Sequence, residues 1–129
     1  MAPIPSANGE KINWINYKTG VPKIQVRLQA DISSASMGIY IHTADEHLHA
    51  KQWQIFTHLK ASLEQSLREK WVWKNAAETQ EDASTIGVAI AGVNVMDEST
   101  WPQLISFFKQ RLVLFDAFWT EHKELFILT

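Results

Sequence analysis

There is no cysteine in this chain, which excludes a disulfide framework, a thiolate zinc site and a cysteine nucleophile together. Proline and glycine are scarce, four and five residues in 129, so the chain is not a linker or a low-complexity polymer. No run approaches the ~20 apolar residues that span a bilayer, and the opening MAPIPSANGEK has no basic segment followed by an apolar core. Neither a membrane span nor a secretory signal is expected, which places the protein in the cytoplasm. A large excess of either charge is missing as well. Twelve basic and fourteen acidic residues leave a formal charge of −2 and a pI near 6.2, without the basic footprint of a typical nucleic-acid-binding domain.

What the chain does have is apolar and aromatic mass: 46% hydrophobic residues, with six tryptophans and six phenylalanines. A chain of this length buries about two thirds of the surface that its unfolded form exposes, enough for one domain. Much of that mass lies in Ser99 to Phe126, STWPQLISFFKQRLVLFDAFWTEHKELF. On a helix advancing ~100° per residue, Trp101, Leu104, Ile105, Phe108, Leu112, Phe115 and Trp119 fall within an arc of about 100°, a core-facing stripe. A second row, Phe107, Leu114, Phe118 and Leu125, flanks it and makes about half the circumference apolar. That surplus is a candidate interaction surface.

The rest of the chain reads in order. Residues 1–10 are an irregular tail, and 11–129 form a single α+β domain. Ile12 to Lys18 is a strand, Thr19 and Gly20 supply a tight turn, and in Val21 to Asp31 the apolar Ile24, Val26, Leu28 and Ala30 alternate with polar residues, as in a half-buried strand. A third strand covers Ser36 to Thr43. Thr43 and Glu46 are spaced as a capping box for a helix that ends near Glu69. A fourth strand opens at Trp71, Val72 and Trp73, an acidic turn runs from Glu78 to Ser84, and a fifth strand spans Thr85 to Val93. That strand alternates Ile86, Val88 and Ile90 with Gly87, Ala89 and Ala91, a pattern for a central strand with something close on its small-residue side. Thr100 and Gln103 form a second capping box, with Pro102 in the first turn of the last helix. The expected architecture is α+β: a five-stranded antiparallel sheet with two helices on one face, in the order β-β-β-α-β-β-α.

Catalytic signatures are absent from this pattern. His47 and His49 stand two residues apart, so on a helix they point ~200° from each other and cannot share a metal, and no HExxH spacing occurs. His47 and His58 share a face but lie about 16 Å apart. Solvated helix-surface histidines are the expectation. No GxSxG, GxxxxGK[ST] or GxGxxG is present, Ser33, Ser34 and Ser36 suit local turn bonding, and the ExK triplet Glu121, His122 and Lys123 reads as a solvated helix end. No catalytic residue, metal site or cofactor is assigned. The first hairpin interleaves Lys11, Lys18, Lys23 and Arg27 with Trp14 and Tyr17, a candidate nucleic-acid patch, set against the ordinary use of strand lysines to block edge pairing.

The segments EKINWINYKTGV (10–21), WVW (71–73) and WPQLISFFKQRLVLFDAFW (101–119) resemble the bacterial domain-of-unknown-function family 4268, from about residue 5 to the C-terminus. The resemblance implies no established activity, and only that some members follow a restriction-endonuclease-like domain, a portion absent from this chain. It carries Trp14, Tyr17, Lys18, Gly20, Trp101, Pro102 and Phe108 as motif positions, without a catalytic role. It also implies an aromatic-rich helix ahead of the stretch matching residues 1–20. With that helix the order would be α-β-β-β-α-β-β-α, similar to type III secretion chaperones, and the row Phe107, Leu114 and Phe118 would be its seat, open here to a partner or a second copy. The expected function is a non-enzymatic protein-interaction or accessory module, dimeric or bound to a partner protein. A nucleic-acid-binding accessory domain associated with nuclease or DNA-defence systems is the alternative, and an enzyme with an unrecognised site is the third reading.

Overall fold

Alternation in Ile24, Val26, Leu28 and Ala30 is realised in full: all four side chains are buried, while Gln25, Arg27 and Gln29 face away from the core. The computed structural model describes residues 4–5, 11–79 and 83–127, with the side chains of 4–5, 11–15, 17 and 79 left aside. Among the described residues there are six strands: β1 (Ile4–Pro5), β2 (Lys11–Lys18), β3 (Ile24–Ala30), β4 (Ser34–Ile41), β5 (Val72–Lys74) and β6 (Ser84–Ala91). They lie in the spatial order β1-β2-β3-β4-β6-β5, every neighbouring pair antiparallel. The architecture is α+β with an antiparallel sheet, as expected, but the strand count and element order differ from the expectation. Within the supposed tail, residues 4 and 5 pair with Ile12 and Lys11; positions 1–3 and 6–10 of that tail lie outside the described residues.

The helices are α1 (Glu46–His58), α2 (Lys60–Leu67), the four-residue α3 (Ala76–Thr79) and α4 (Trp101–Ile127), with a 3₁₀ turn at Glu98–Thr100. The expected middle helix is two helices broken at Leu59, whose ψ of 4° leaves the helical range. Just before the break the Thr57 hydroxyl donates to the Trp53 carbonyl four residues back at 2.9 Å, a bond that bends helices. Both capping-box expectations are corrected. Asp45 caps α1, accepting from the N–H groups of His47 and Leu48, and Thr43 accepts from Asp45 N–H instead. Thr100 ties down the loop before α4, donating to the carbonyls of Asn94 and Asp97. The acidic turn expected over Glu78 to Ser84 is partly α3, and 80–82 lie outside the described residues.

One core holds these layers together. Ile24, Val26 and Leu28 of β3, Met37, Ile39 and Ile41 of β4, and Ile86 of β6 meet Phe56, Leu63, Leu67 and seven side chains of α4. All of this lies on one side of the sheet. The other side carries Ser36, Gly38, Tyr40, Thr85, Gly87 and Ala89 by the same alternation, and no described helix packs there. Among the described residues no helix thus lies on the small-residue side of β6, which was expected to have something close upon it. No helix among the described residues is long and apolar enough to cross a membrane.

Candidate functional site

Helix α4 sits on the sheet about 40° away from the phase that its strongest stripe suggests. Leu104, Phe107, Phe108, Phe115, Phe118, Trp119 and Phe126 are its buried residues, so the row read as surplus is mostly core. Phe107 is 4% exposed and Phe118 1%, Leu114 is partly buried against the core, and only Leu125 is open. The candidate interaction surface Phe107, Leu114, Phe118 and Leu125 is thereby corrected, and so is its use as a vacant seat for another helix. The physical reason is that α4 also meets α2, and a helix wedged between a sheet and a neighbouring helix buries a wider arc than one lying on a sheet alone. Arg111 fixes that phase. Its Nε and Nη2 donate to the two carboxylate oxygens of Glu69 at 2.7 and 3.1 Å, and its guanidinium lies 4.2 Å from the Phe107 ring centroid.

Rotation leaves other apolar side chains outside. Ile105 is 60% and Val113 62% exposed, beside an open groove of about 1030 Å³ whose lining includes Arg68, Pro102, Lys109 and Leu114. Sequence reasoning placed Ile105 in the core stripe and passed over Val113. An isolated valine on the polar side of a helical wheel carries no local signal.

The histidines divide. His47 and His58 are exposed, but His49 is half-buried with Nε2 2.6 Å from the Ser84 hydroxyl, correcting its assignment to the solvated surface. Ser84 Oγ also accepts from the Ala76 N–H at 2.8 Å. A serine beside a histidine resembles a nucleophile and its base, yet Ser84 is fully buried and lines no groove among the described residues. The pair ties α1 to β6 and the start of α3. No group of three histidine, aspartate or glutamate side chains able to hold a metal occurs among the described residues.

Of the hairpin patch, the Lys11 side chain lies outside those described, as do Trp14 and Tyr17. Lys18 ends β2, exposed, in register with the outer sheet face and also bordering the cleft toward α4, Lys23 stands in the β2–β3 turn at φ +71°, and Arg27 lies over the Tyr40 ring at 4.4 Å with its Nε donating to Asn16 Oδ1 at 2.9 Å. Lys18 and Arg27 thus share a face that Lys23 does not. Between the turn and α4 a cleft of about 580 Å³ is lined by Lys18 and Lys123 but also by Asp116 and Glu124, so it favours neither sign of ligand. Lys123 is half-buried with its ammonium against Gly20, which corrects the reading of the ExK triplet as wholly solvated.

The family model described as "Domain of unknown function (DUF4268)" matches residues 3–123. No curated protein and no solved structure matches the chain.

Proposed function

We propose that this chain, which belongs to the domain-of-unknown-function family DUF4268, is a non-enzymatic interaction module that pairs with a second copy of itself through the solvent side of α4. The observation that carries this reading is how charge is arranged around exposed Val113. Residues 101–113 hold Lys109 and Arg111 and no acid, whereas 114–127 hold Asp116, Glu121 and Glu124 against Lys123 alone. The helix dipole favours the opposite arrangement, acids near the N-terminus and bases near the C-terminus. With Arg111 engaged by Glu69, Lys109 has no acid in its own half of α4, and the acids of the other half outnumber Lys123 three to one.

Two copies of α4 crossing antiparallel at Val113 would supply the compensation. Lys109 of each copy then lies near Asp116 of the other, and the two-fold axis repeats the contact while Val113 packs on its own counterpart. Light scattering is expected to give twice 14.8 kDa. Val113→Asp should yield a folded monomer, Lys109→Glu should weaken association, and Asp116→Lys added to it should restore the dimer. A monomer at every concentration, or a dimer indifferent to these changes, sinks the reading.

A further inference from the structure

The outer sheet face holds a second, independent surface. Ladder register aligns five residues in one row across the strands: Lys18 pairs with Gln25, Gln25 with Tyr40, Tyr40 with Thr85, and Thr85 with Lys74. A lysine stands at each end, four strand spacings or about 19 Å apart across the sheet, with a tyrosine between them. The adjacent row runs Asn16, Arg27, Gly38, Gly87 and Val72. Among the described side chains of this face the charged ones are Lys18, Arg27 and Lys74, and no carboxylate interrupts them. A chain with more acids than bases thus carries only basic charge among the described strand side chains of this face, with Asp31 at its margin beside Gln29 and Ser36.

The centre of the face is built for flat groups. At Gly38 a Cβ would meet the Tyr40 ring at 3.2 Å, so glycine there gives the ring room close to the sheet. Arg27 then lies over Tyr40 at 4.4 Å, which puts a planar cation and an aromatic ring together at the middle of the face. Beside it a shallow groove of about 240 Å³, walled by Tyr40, Val72 and Lys74, runs over Gly38 and Gly87. Stacking surfaces joined to a line of cations are the two elements by which proteins hold single strands without reading base sequence. A duplex is the poorer fit, since its grooves are read by protruding helices or ribbons rather than by a flat sheet. A second copy is also disfavoured, because like charges would meet like.

We propose that this face binds single-stranded nucleic acid, with its backbone crossing the strands from Lys18 to Lys74 and a base stacked at Arg27 and Tyr40. The test is fluorescence anisotropy of labelled ten-nucleotide oligo(dT) and oligo(U) over a salt series. Affinity should fall with salt, and Lys18→Glu with Lys74→Glu should weaken it roughly tenfold and flatten the salt slope by about 0.7 for each phosphate no longer neutralised. Both lysines are exposed strand residues, so the variant should fold, and circular dichroism checks this. Lys51→Glu with Lys70→Glu, an equal charge change away from the face, should bind nearly as the parent does. Tyr40→Ser should weaken binding while leaving the salt slope unchanged. Tighter oligo(U) than oligo(dT) binding would assign the face to RNA, and the reverse order to DNA. No binding at low salt, equal loss in the control variant, equal affinity for duplex, or equal competition by poly-glutamate would each overturn the proposal.

Discussion

The indole N–H of Trp119 donates to the main-chain carbonyl of Thr19, one hundred residues earlier, at 2.6 Å. Thr19 is itself buried, its hydroxyl donating to the Ile24 carbonyl at 2.7 Å and accepting from the Val21 N–H. One buried threonine therefore shapes the β2–β3 turn and receives the middle of α4.

Replacing Trp119 separates the bond from the bulk. Trp119→Phe keeps most of the ring contacts with Phe56, Phe115 and Phe126 but leaves the Thr19 carbonyl without its donor, a loss of about 1–3 kcal/mol. Trp119→Ala adds a cavity and should cost about 3–5 kcal/mol. Denaturant midpoints measure both, and equal losses would mean that the hydrogen bond contributes little.

Gly20 sits at φ +86°, and a Cβ there would also overlap the end of the Lys123 side chain. The conformation, not the overlap, should dominate, because a lysine tip moves readily whereas left-handed backbone costs an L-residue about 1–2 kcal/mol. Gly20→Ala should therefore lose that amount, and adding Lys123→Ala should recover little of it. Full recovery in the double variant would reverse the assignment.

Glu69 joins Arg111 to the Trp71 indole, which donates to the same carboxylate oxygen at 2.9 Å. Both members of the ion pair are less than one-third exposed, so solvent weakens the contact without cancelling it. Glu69→Gln should cost about 1–2 kcal/mol, in the range of bonds to charged groups, and a double-mutant cycle with Arg111→Met should show coupling between them. Strict additivity in thermal unfolding would count against the clamp.

Asp31 gives a pH dependence. Its carboxylate accepts the N–H groups of Ser33 and Ser34, each at 2.8 Å. The Ser33 bond foremost holds the carboxyl below the usual aspartate range, with partial burial opposing it and the Ser34 bonds assisting. A group whose pKa falls on folding adds stability above its unfolded value and loses it as pH drops through the folded value. Asp31→Asn should accordingly be less stable near neutral pH and lose less on acidification, read from urea midpoints between about pH 7 and about pH 3. Parallel curves for the two proteins would contradict this.

How far the fold was legible follows from where each signal resides. The strand at Ile24 to Ala30 and the turn at Gly20 are written in adjacent residues, through alternation and a positive φ. The phase of α4 is not, because Phe107 and Phe118 are as apolar as Phe108 and Trp119, and only the sheet and α2 together decide which rows turn inward. The same holds for His49 and Ser84, which are 35 residues apart. For the outer face, Lys18 and Arg27 stood out in the sequence, whereas Lys74 and Tyr40 joined them only through strand register.

During synthesis α4 leaves the ribosome after every strand it covers. Until it emerges, Ile39, Met37 and Ile86 lack the seven side chains that close over them, and the nascent sheet shows a wet apolar face of the kind that recruits chaperones or aggregates. A stalled or truncated product ending before Trp119 would thus be a hazard to the cell as well as an unfinished domain.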